Sequence, residues 1–371
     1  MTGTILITGG AGFIGSHLTD ELLRSGWRVR ALDTLDPQVH GSGERPAYLD
    51  ADVELLVGDV RDADCVVRAL DGVDAVVHLA ARVGVAQSMY DIAGYTSVNG
   101  TGTAVLLQAL LDHPVAQLVV ASSMSVYGEG LYAASDGRRV DAAERSREQL
   151  ERGDWDPAGA DGAPLVPLPT PEDKRPSLSS IYALGKYDQE RMCLLFGSAY
   201  RMPVTALRFF NVYGPRQALS NPYTGVLAIF AGRLLNGRPP LIYEDGRQRR
   251  DLVSVHDAAR ACRLSLERPE PSGRVLNVGS GEDVSVLEVA GELAQVMGRD
   301  EVTTQITGTY RVGDIRHCFA DIALATEMIG YRPQVPRAEG LAELAGWLAG
   351  EVATDRVDEA AAELAARGLT V

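Results

Sequence analysis

A tyrosine and a lysine stand four positions apart, at Tyr182 and Lys186. This spacing is close to one helical turn, so a helix through them places the phenol and the ammonium group on one face. A nearby cation favours the phenolate and lowers a tyrosine pKa from its usual value of about 10. The pair is therefore suited to act as a general base with an activating cation. A surface pair without chemistry remains the alternative.

Hydroxyl side chains end an apolar stretch upstream of this pair, where Ser123 and Ser125 follow Leu118–Ser122. If that stretch is a strand, the serines lie at the carboxyl edge of a sheet. A serine there can donate a hydrogen bond to the reacting oxygen of a substrate. Serines at strand ends are also common turn formers, so this candidate gains weight only beside the Tyr182 and Lys186 pair.

Glycines at 9, 12 and 15 follow the apolar run Thr4–Thr8. Without side chains the backbone can turn tightly and approach a pyrophosphate, which the start of the next helix binds through its free N–H groups. Asp33 ends the following apolar run about twenty residues later, as in dinucleotide-binding folds. Its carboxylate can accept hydrogen bonds from both ribose hydroxyls and would repel a 2′-phosphate, which predicts NAD rather than NADP.

Weaker candidates for the same dinucleotide site follow the third and fourth apolar runs. A Gly-Asp step can contact adenine, and small residues let the cofactor pass close to the backbone. An ordinary turn explains either pattern equally well. The cofactor-binding residues predicted from these patterns are Gly9, Gly12, Phe13, Ile14, Gly15, Asp33, Asp59, Val60, Leu79, Ala80 and Ala81.

Short apolar runs alternate with stretches of helical periodicity, which predicts parallel strands covered by helices. The fold class is therefore α/β, with a Rossmann-like doubly wound parallel sheet that binds ligands at its carboxyl edge. The predicted strands are Thr4–Thr8, Arg28–Asp33, Val53–Val57, Ala75–Ala80, Leu118–Ser122, Val204–Phe209 and Val275–Val278. The predicted helices are Phe13–Ser25, Asn99–Asp112 and Ser180–Tyr200.

The domain organisation follows from where this alternation lapses. Residues 1–203 are predicted to form mainly the NAD-binding unit, interrupted by a polar insertion over 133–170 with a short helix and a surface loop. Residues 204–350 complete the sheet and form a smaller C-terminal substrate-binding lobe. Residues 351–371 are predicted to be an acidic, Ala-rich helical tail.

Composition limits the class of protein and of partner. The 371 residues are 46% hydrophobic, enough for a large core, and carry a net charge of -15. This charge argues against nucleic acid and anionic membranes as partners. No apolar run reaches the roughly 18 residues of a membrane span and no basic leader is seen, so a cytoplasmic location is predicted. The scattered cysteines, predicted to be free thiols, are Cys65, Cys193, Cys262 and Cys318.

These motifs together resemble the NAD-dependent sugar epimerase/dehydratase family, within the extended short-chain dehydrogenases/reductases. The resemblance covers nearly the whole chain and includes Ser-Ser-x-x-Val-Tyr-Gly after the fifth strand and the segment Arg208–Pro215. It implies a catalytic triad of Ser123, Tyr182 and Lys186. Tyr182 and Lys186 would also contact the cofactor, and Lys186 would hold the nicotinamide ribose. It further implies that Asn99 supports the triad helix, that NAD is the cofactor, and that the protein is a homodimer.

The same resemblance implies a nucleotide-diphosphate sugar as substrate. Asn211 matches a residue that contacts the sugar-phosphate, and Arg250 and Arg311 match arginines that grip the diphosphate. A guanidinium fork suits phosphate oxygens, although ion pairs with Asp251 and Asp314 are the alternative. The predicted substrate-binding residues are Ser125, Asn211, Arg216, Val226, Arg250, Arg311 and Asp314.

The residues beside Ser123 narrow the reaction. Dehydratases of the family resemble Thr-Asp-Glu here, whereas this chain has Met124 and Ser125, which cannot serve as an acid/base pair. The glutamate of the decarboxylating relatives is also missing, and Cys193 lies too far along the helix for a 3,5-epimerase. A 4-epimerase remains, which oxidises C4 to a 4-keto intermediate and re-reduces it with NAD held tightly.

Three segments resemble the dTDP-rhamnose type of 4-epimerase, which indicates a dTDP-6-deoxyhexose. They are Leu219–Leu227, Gly246–Asp251 and Gly313–His317. Some relatives carry a cysteine pair in the insertion, but Trp155–Gly162 has none, so no metal is predicted. The alternatives are a UDP-hexose or UDP-uronate 4-epimerase, a nucleotide-sugar dehydrogenase or reductase with net redox change, and a non-catalytic NAD-sensing protein.

Overall fold

The computed structural model describes residues 3–41, 43–141, 143–219, 221, 223, 225–269, 272–351 and 355–370. Parts of the predicted segment Leu219–Leu227 and of the tail 351–371 lie outside the described residues. The strands are β1 (Thr4–Thr8), β2 (Arg28–Asp33), β3 (Glu54–Val57), β4 (Ala75–His78), β5 (Gln117–Ser123), β6 (Leu131–Ala133), β7 (Arg139–Val140), β8 (Val166–Leu168), β9 (Val204–Phe209), β10 (Asn211–Tyr213), β11 (Leu241–Ile242), β12 (Arg249–Arg250), β13 (Leu252–Ser254), β14 (Arg274–Val278), β15 (Val284–Ser285), β16 (Gln305–Ile306) and β17 (His317–Cys318).

The α-helices follow the same chain order. They are α1 (Phe13–Arg24), α2 (Pro37–His40), α3 (Ala63–Leu70), α4 (Val85–Ser88), α5 (Ile92–Tyr95), α6 (Gly102–Asp112), α7 (Arg147–Glu151), α8 (Ile181–Tyr200), α9 (Val226–Leu235), α10 (Val255–Glu267), α11 (Val286–Val296), α12 (Ala323–Ile329), α13 (Arg337–Leu348) and α14 (Val357–Ala366). A π-helical turn, Thr96–Thr101, precedes α6, and a 3-10 turn, Met124–Tyr127, follows β5.

A seven-stranded parallel sheet in the order β14-β9-β5-β4-β1-β2-β3 forms the centre of the molecule. Side chains alternate between its faces, so Ile5 and Ile7 join a core with α1 and α10, whereas Leu6 joins a core with α3, α6 and α8. Burial on both faces explains the continuous apolar runs, since parallel sheets are covered by helices. The predicted doubly wound α/β fold is confirmed.

The predicted element bounds are close to the observed ones, with two informative differences. The fourth strand ends at His78 rather than Ala80, although the Leu79 N–H still donates to the Thr8 carbonyl of β1 at 3.0 Å. Asn99 lies in the π-helical turn, not in the regular helix predicted over Asn99–Asp112. Ser180 is the N-cap of α8, where its side chain accepts a hydrogen bond from the Ala183 N–H at 3.1 Å.

A second core lies among α9, α11 and α13, away from the sheet. It contains Leu227, Phe230, Leu293 and Leu344, which are buried. Short strands connect this lobe to the sheet, and β10 pairs in parallel with β13. No helix among the described residues has both the length and the apolar character needed to cross a membrane.

The insertion after β5 has more structure than the predicted helix and loop. Besides α7, the region contains a three-stranded antiparallel sheet in the order β7-β6-β8. Its strands have two or three residues each, which is too short for an alternation pattern to be visible in the sequence. The C-terminal tail contains α14, whose Ala360 and Leu364 are buried.

Candidate active site

The serine end of β5 and the start of α8 meet at the carboxyl edge of the sheet. The Ser123 side chain faces the Tyr182 hydroxyl and acts on the tyrosine pKa as a hydrogen-bonding group. Ser125 donates from its hydroxyl to the Ser123 oxygen at 3.0 Å, and the Tyr182 N–H donates to the Ser88 hydroxyl at 3.0 Å. Ser122 instead faces the interior, where it donates to Glu190 at 2.6 Å. The structure therefore brings Ser123, Ser125 and Tyr182 together.

The electrostatics of Tyr182 differ from the prediction. Burial raises the pKa of Tyr182, and the hydrogen bond with Ser123 acts in the opposite direction. A lowered pKa was predicted because Lys186 lies one turn away. In the structure the Lys186 ammonium donates to the Gln189 side-chain oxygen at 2.8 Å, further along α8. Lys186 is 3% exposed, and this burial lowers its pKa to about 8.

Lys186 is surrounded by buried polar residues, and the sequence patterns did not reveal these neighbours. Gln189 and Thr103 are at most 1% exposed, and His78, at the end of β4, is 1% exposed. Burial, followed by the charge of Lys186, lowers the pKa of His78 to about 3, so its ring is neutral. The available signals were a histidine ending an apolar strand and a glutamine three residues after Lys186.

The glycine loop leaves the start of α1 open to a ligand. A side chain at Gly15 would place its Cβ 2.2 Å from the Gly9 carbonyl oxygen, so this close turn requires glycine. A Cβ at Gly9 would lie 3.0 Å from the Ala80 nitrogen, so the loop lies against the strand end at Leu79 and Ala80. Gly12 is the N-cap of α1 and provides no side-chain cap. The first N–H groups, at Phe13 and Ile14, therefore have no side-chain cap, as in helix starts that bind anions.

Asp33 lies at the carboxyl end of β2 and also shapes this loop. Its two carboxylate oxygens accept hydrogen bonds from the Ala11 and Leu35 N–H groups, each at 3.0 Å. The Nε2 atom of His40 lies 3.5 Å from the Oδ1 atom of Asp33. A carboxylate has about four acceptor positions, so two remain for ribose hydroxyls.

The weaker cofactor candidates have local partners. The Asp59 carboxylate is bound by Arg61, which lowers its pKa, and Val60 is buried against Gly102. Asn99 is fully buried and its amide binds the backbone of Arg82, at 2.8 Å to N–H and 3.1 Å to the carbonyl. A Cβ at Gly185 would lie 3.5 Å from Asn99, so this residue joins the segment after Ala81 to α8.

The substrate-side candidates lie in the lobe and at its junction with the sheet. The side-chain oxygen of Asn211 is buried without a hydrogen-bond partner among the described residues, which is the state expected of a ligand contact. Arg311 forms an ion pair with Asp314 at 2.9 Å and lies over the Tyr243 ring. Arg250 donates to backbone carbonyls of the segment 315–316 rather than to Asp251.

The two remaining substrate candidates, Val226 and Arg216, lie in different parts of the molecule. Val226 begins α9, whose N-cap, Gly225, provides no side-chain hydrogen bond. Arg216 pairs with Asp20 of α1 at 2.8 Å, and its guanidinium carbon lies 5.4 Å from the centre of the Tyr48 ring. The structure thus places Arg216 beside α1, whereas Arg250 and Arg311 contact other segments.

Loops from both lobes meet at Tyr90 and Tyr223. The Tyr90 hydroxyl donates to the Tyr223 hydroxyl at 2.6 Å, and a Cβ at Gly84 would lie 3.0 Å from the Tyr223 Cβ. The tail joins them, since the Arg367 guanidinium lies 4.5 Å from the centre of the Tyr90 ring. The Val312 N–H, next to Arg311, donates to the Leu369 carbonyl at 3.0 Å.

A buried ion network joins the insertion to the lobe. Arg145 of the insertion pairs with Glu129 at 3.1 Å and with Glu244 at 2.7 Å. Arg316, almost fully buried, pairs with Glu244 at 2.9 Å, and its other partners are Asp245 and Asp156. Within the described ranges, no group of three metal-ligating side chains is placed to hold a metal ion.

Comparison with known proteins identifies the family. The model of the NAD dependent epimerase/dehydratase family matches residues 5–149 and 158–279. The chain is 36% identical over 353 residues to dTDP-L-rhamnose 4-epimerase of Burkholderia thailandensis, covering 94% of this chain and 95% of that one. It resembles the crystal structure of UDP-glucose 4-epimerase of Thermotoga maritima with UDP-glucose, with a TM-score of 0.76 at 29% identity, covering 93% of this chain and 98% of that one.

A further similar structure is UDP-glucuronic acid 4-epimerase from Bacillus cereus in complex with UDP-glucuronic acid and NAD. It has a TM-score of 0.76 at 27% identity and covers 93% of this chain and 99% of that one. The match of the family model, the identity along nearly the full length and the arrangement of Ser123 and Tyr182 agree. This chain belongs to the NAD-dependent epimerase/dehydratase family.

Proposed function

We propose that this protein is a nucleotide-sugar 4-epimerase that oxidises and re-reduces C4 of a hexose with tightly held NAD. The observation that carries the proposal is the meeting of Ser123, Ser125 and Tyr182 at the carboxyl edge of the sheet. Ligands of doubly wound folds bind at this edge. The 4-epimerases among the similar proteins support this choice of reaction.

The residues at the glycine loop fit NAD. The uncapped start of α1 suits the pyrophosphate, Asp33 retains acceptor positions for a ribose, and Lys186 is assigned to the nicotinamide ribose. The other predicted cofactor residues, from Leu79 to Ala81, line the strand end that the loop touches. When bound, NAD accepts a hydride from the sugar and returns it.

The proton chemistry is assigned to the side chains of the triad. Tyr182, as phenolate, removes the proton of the C4 hydroxyl, and Ser123 donates a hydrogen bond to the same sugar oxygen. On the return step Tyr182 gives the proton back to that oxygen. Because burial raises the pKa of Tyr182, the positive charge of Lys186 is needed to favour the phenolate.

Dehydration and decarboxylation lack the groups they would need beside Ser123. Met124 is buried among apolar residues, and the Ser125 hydroxyl is already bonded to Ser123. Neither side chain can carry protons to and from C5 and C6 of a sugar. Epimerisation needs no such second acid/base pair, because one phenol acts on one oxygen in both directions.

The lobe is proposed to bind the nucleotide diphosphate. Asn211 is assigned to the sugar-phosphate, and Arg250 and Arg311 to the diphosphate oxygens, with Asp314 orienting Arg311. Ser125 and Val226 are proposed to contact the substrate. For Arg216 the proposal is weakest, because Asp20 already binds its guanidinium. Residues 1–203 would then bind the cofactor, residues 204–350 the substrate, and the tail from 351 would support the lobe.

The preferred substrate is a dTDP-6-deoxyhexose, on the strength of the 36% identity to a dTDP-L-rhamnose 4-epimerase. UDP-hexoses and UDP-uronates are the second candidates, because 4-epimerases acting on them have similar structures. A dehydrogenase or reductase with net redox change, and a non-catalytic NAD sensor, remain the alternatives that the experiment must separate.

Incubation of the purified protein with dTDP-, UDP- and GDP-sugars, without added cofactor, tests the proposal. Proton NMR should show a C4 epimer forming to an equilibrium mixture while NADH absorbance stays constant. Steady accumulation of NADH with a keto sugar would establish a dehydrogenase instead. Absence of any product, with NAD bound, would favour the sensor.

A homodimer and a cytoplasmic location belong to the same proposal. Leu184 and Leu195 are half or more exposed and lie three turns apart on one face of α8, and Leu111 of α6 is also exposed. Light scattering should give a dimer mass that Leu195→Glu reduces. The buried, unpaired cysteines suit a reducing compartment, which cell fractionation checks.

A further inference from the structure

Buried neutral groups hold Lys186, and the proposed mechanism leaves them without a role. The Lys186 ammonium donates to the Gln189 side-chain oxygen at 2.8 Å. The Gln189 side-chain nitrogen donates to the Thr103 hydroxyl oxygen at 2.9 Å and to the Ala80 carbonyl at 3.3 Å. The amide therefore presents its only acceptor to the lysine and its donors to Thr103, Ala80 and the Nε2 atom of His78.

A hydrogen-bond chain prevents this amide from turning round. The Thr103 hydroxyl donates to the Asn99 carbonyl at 2.6 Å, so its oxygen acts as acceptor toward Gln189. The neutral His78 ring lies between Thr103, at 2.9 Å, and the Thr8 hydroxyl, at 2.7 Å. The Gln189 side-chain nitrogen also lies 3.2 Å from Nε2 of His78, so Nε2 is the acceptor and the Nδ1–H donates to the Thr8 hydroxyl. A reversed amide would place two acceptors together and face NH₂ toward the ammonium.

Among the described residues, Glu190 is the carboxylate whose charge acts on Lys186, and it raises the lysine pKa without contacting the ammonium. Glu190, on the same helix, is committed to Arg208 of β9 through bonds of 2.7 and 2.9 Å. Burial raises the pKa of the Cys193 thiol to about 12, so it is neutral, as is His78 on β4. No carboxylate of the described residues forms an ion pair with Lys186.

We infer that Gln189 is a positioning residue for Lys186: its carbonyl oxygen fixes the ammonium group without neutralising it. A carboxylate at this position would bind Lys186 more strongly, but its negative charge would oppose the phenolate of Tyr182. An apolar side chain would leave the ammonium without an acceptor. The inference rests on the proposed function, in which Lys186 favours the phenolate.

The chain has only two lysines, Lys174 and Lys186, which allows a direct test. Labelling with lysine enriched in 13C at Cε gives two resonances, assigned with Lys186→Met, whose titration reports each ammonium in the enzyme as purified. In Gln189→Glu the pKa of Lys186 should rise by about one unit or more, since a unit charge a few ångströms away acts on it directly. In Gln189→Met it should fall. The Lys174 resonance is the internal control.

The pH dependence of turnover supplies the second measurement. In Gln189→Glu the acidic limb of kcat should move up by about one pH unit, which lowers kcat about tenfold at a fixed pH below the limb. Gln189→Met should lower kcat without moving the acidic limb of the pH profile upward. Gln117→Met is the matched control, because Gln117 is another buried glutamine, donating to the Ser265 carbonyl at 2.7 Å.

An unchanged Lys186 titration in both Gln189 variants, with thermal stability lowered as in Gln117→Met, would reduce Gln189 to a structural residue and overturn the inference. If Gln189→Glu fails to fold, the predicted fall of the Lys186 pKa in Gln189→Met tests the inference. A wild-type protein without epimerase activity would refute the proposed function, while the lysine titration would still decide the role of Gln189.

Discussion

The proposed cofactor side and the proposed substrate side of the molecule stabilise their polar groups in different ways. Around Lys186 the buried groups are mainly neutral, with Gln189, Thr103 and His78 in one hydrogen-bond chain. Between the insertion and the lobe they are charged, with Arg145 and Arg316 among several carboxylates.

The difference has a physical reason. In the proposed mechanism Lys186 supplies a positive charge, and its neutral neighbours would hold that charge without cancelling it. Between insertion and lobe the ion pairs join segments far apart in the chain, such as Arg145 with Glu244 and Arg316 with Asp156. Breaking one partner of such a buried pair is costly, because it leaves an uncompensated charge. Substitutions on the two sides should therefore separate activity from stability.

The largest expected effect is on the cofactor side. Tyr182→Phe removes the only hydroxyl proposed to move the proton, so kcat should fall by about 10² to 10⁴, the range for loss of a general base. Epimerisation assays and NAD content measured after denaturation check this, and NAD should be retained. Tyr187→Phe, on the same helix, is the control and should stay near wild type. Equal losses in both variants would contradict the role of Tyr182.

Arg316→Met should instead act on stability. Its guanidinium is about 1% exposed and pairs with three carboxylates, so its loss should lower the free energy of unfolding by about 3–5 kcal/mol. Urea denaturation measures this. Adding Glu244→Gln should recover part of the loss by removing one buried negative charge. A variant as stable as wild type would show that the network does not hold the insertion to the lobe.

Arg311→Met should raise KM for the nucleotide sugar about tenfold or more and leave kcat within a few-fold, since a charge-assisted hydrogen bond to phosphate contributes about 1.5–3 kcal/mol. Arg238→Met is the matched control, because that guanidinium is half exposed and pairs with Asp355 and Asp358. Steady-state kinetics compare the two. A change confined to kcat would remove Arg311 from the diphosphate site.

Deletion of residues 367–371 should have a smaller effect of the same kind. It removes the Leu369 carbonyl that binds the Val312 N–H and the Arg367 guanidinium over Tyr90. The loop carrying Arg311 loses support, so KM should rise a few-fold at nearly constant kcat. The single variant Arg367→Ala separates the ring contact from the backbone pairing. Unchanged kinetics in both would confine the tail to a packing role.

The smallest expected effect is a pH dependence at the insertion. Burial lowers the pKa of His317, so the unfolded chain binds more protons as pH falls through about 6.5, and stability decreases toward acid. The hydrogen bond from His317 and the contact with Arg316 hold the pKa of Asp156 well below its usual range. The contribution of Asp156 to stability is therefore lost at still lower pH, where its carboxylate becomes protonated in the native state. His317→Asn should flatten the first part of this decline, by less than about 1 kcal/mol. Urea midpoints from pH 5 to 7.5 measure it.

The fold was predictable, and the triad could be proposed, because their signals are local. The seven apolar runs, the glycine loop and Asp33 each follow from residues adjacent in the chain. The spacing of Tyr182 and Lys186 already implies one helix face. The neutral chain through Gln189, by contrast, joins β1, β4, α6 and α8. Each of its members taken alone looks like an ordinary polar residue.

The substrate side was predictable only through resemblance. Its strands are short, so no alternation marks the sheet formed by β6, β7 and β8. Arg216 and Arg311 look alike in the sequence, yet one is paired with α1 and the other lies against Tyr243 in the lobe. Which arginine is free to meet a phosphate depends on neighbours that lie far away in the chain.

The sequence by itself determined the parallel sheet, the cofactor loop and the pair of Tyr182 and Lys186, because backbone conformation and hydrophobic burial follow from neighbouring residues. Only the tertiary structure decided which polar groups compensate one another. It raised the pKa of Tyr182 where spacing alone predicted the opposite, and it gave Lys186 a neutral partner in Gln189. Electrostatic free energy depends on distance and burial in space, which no local pattern of residues contains.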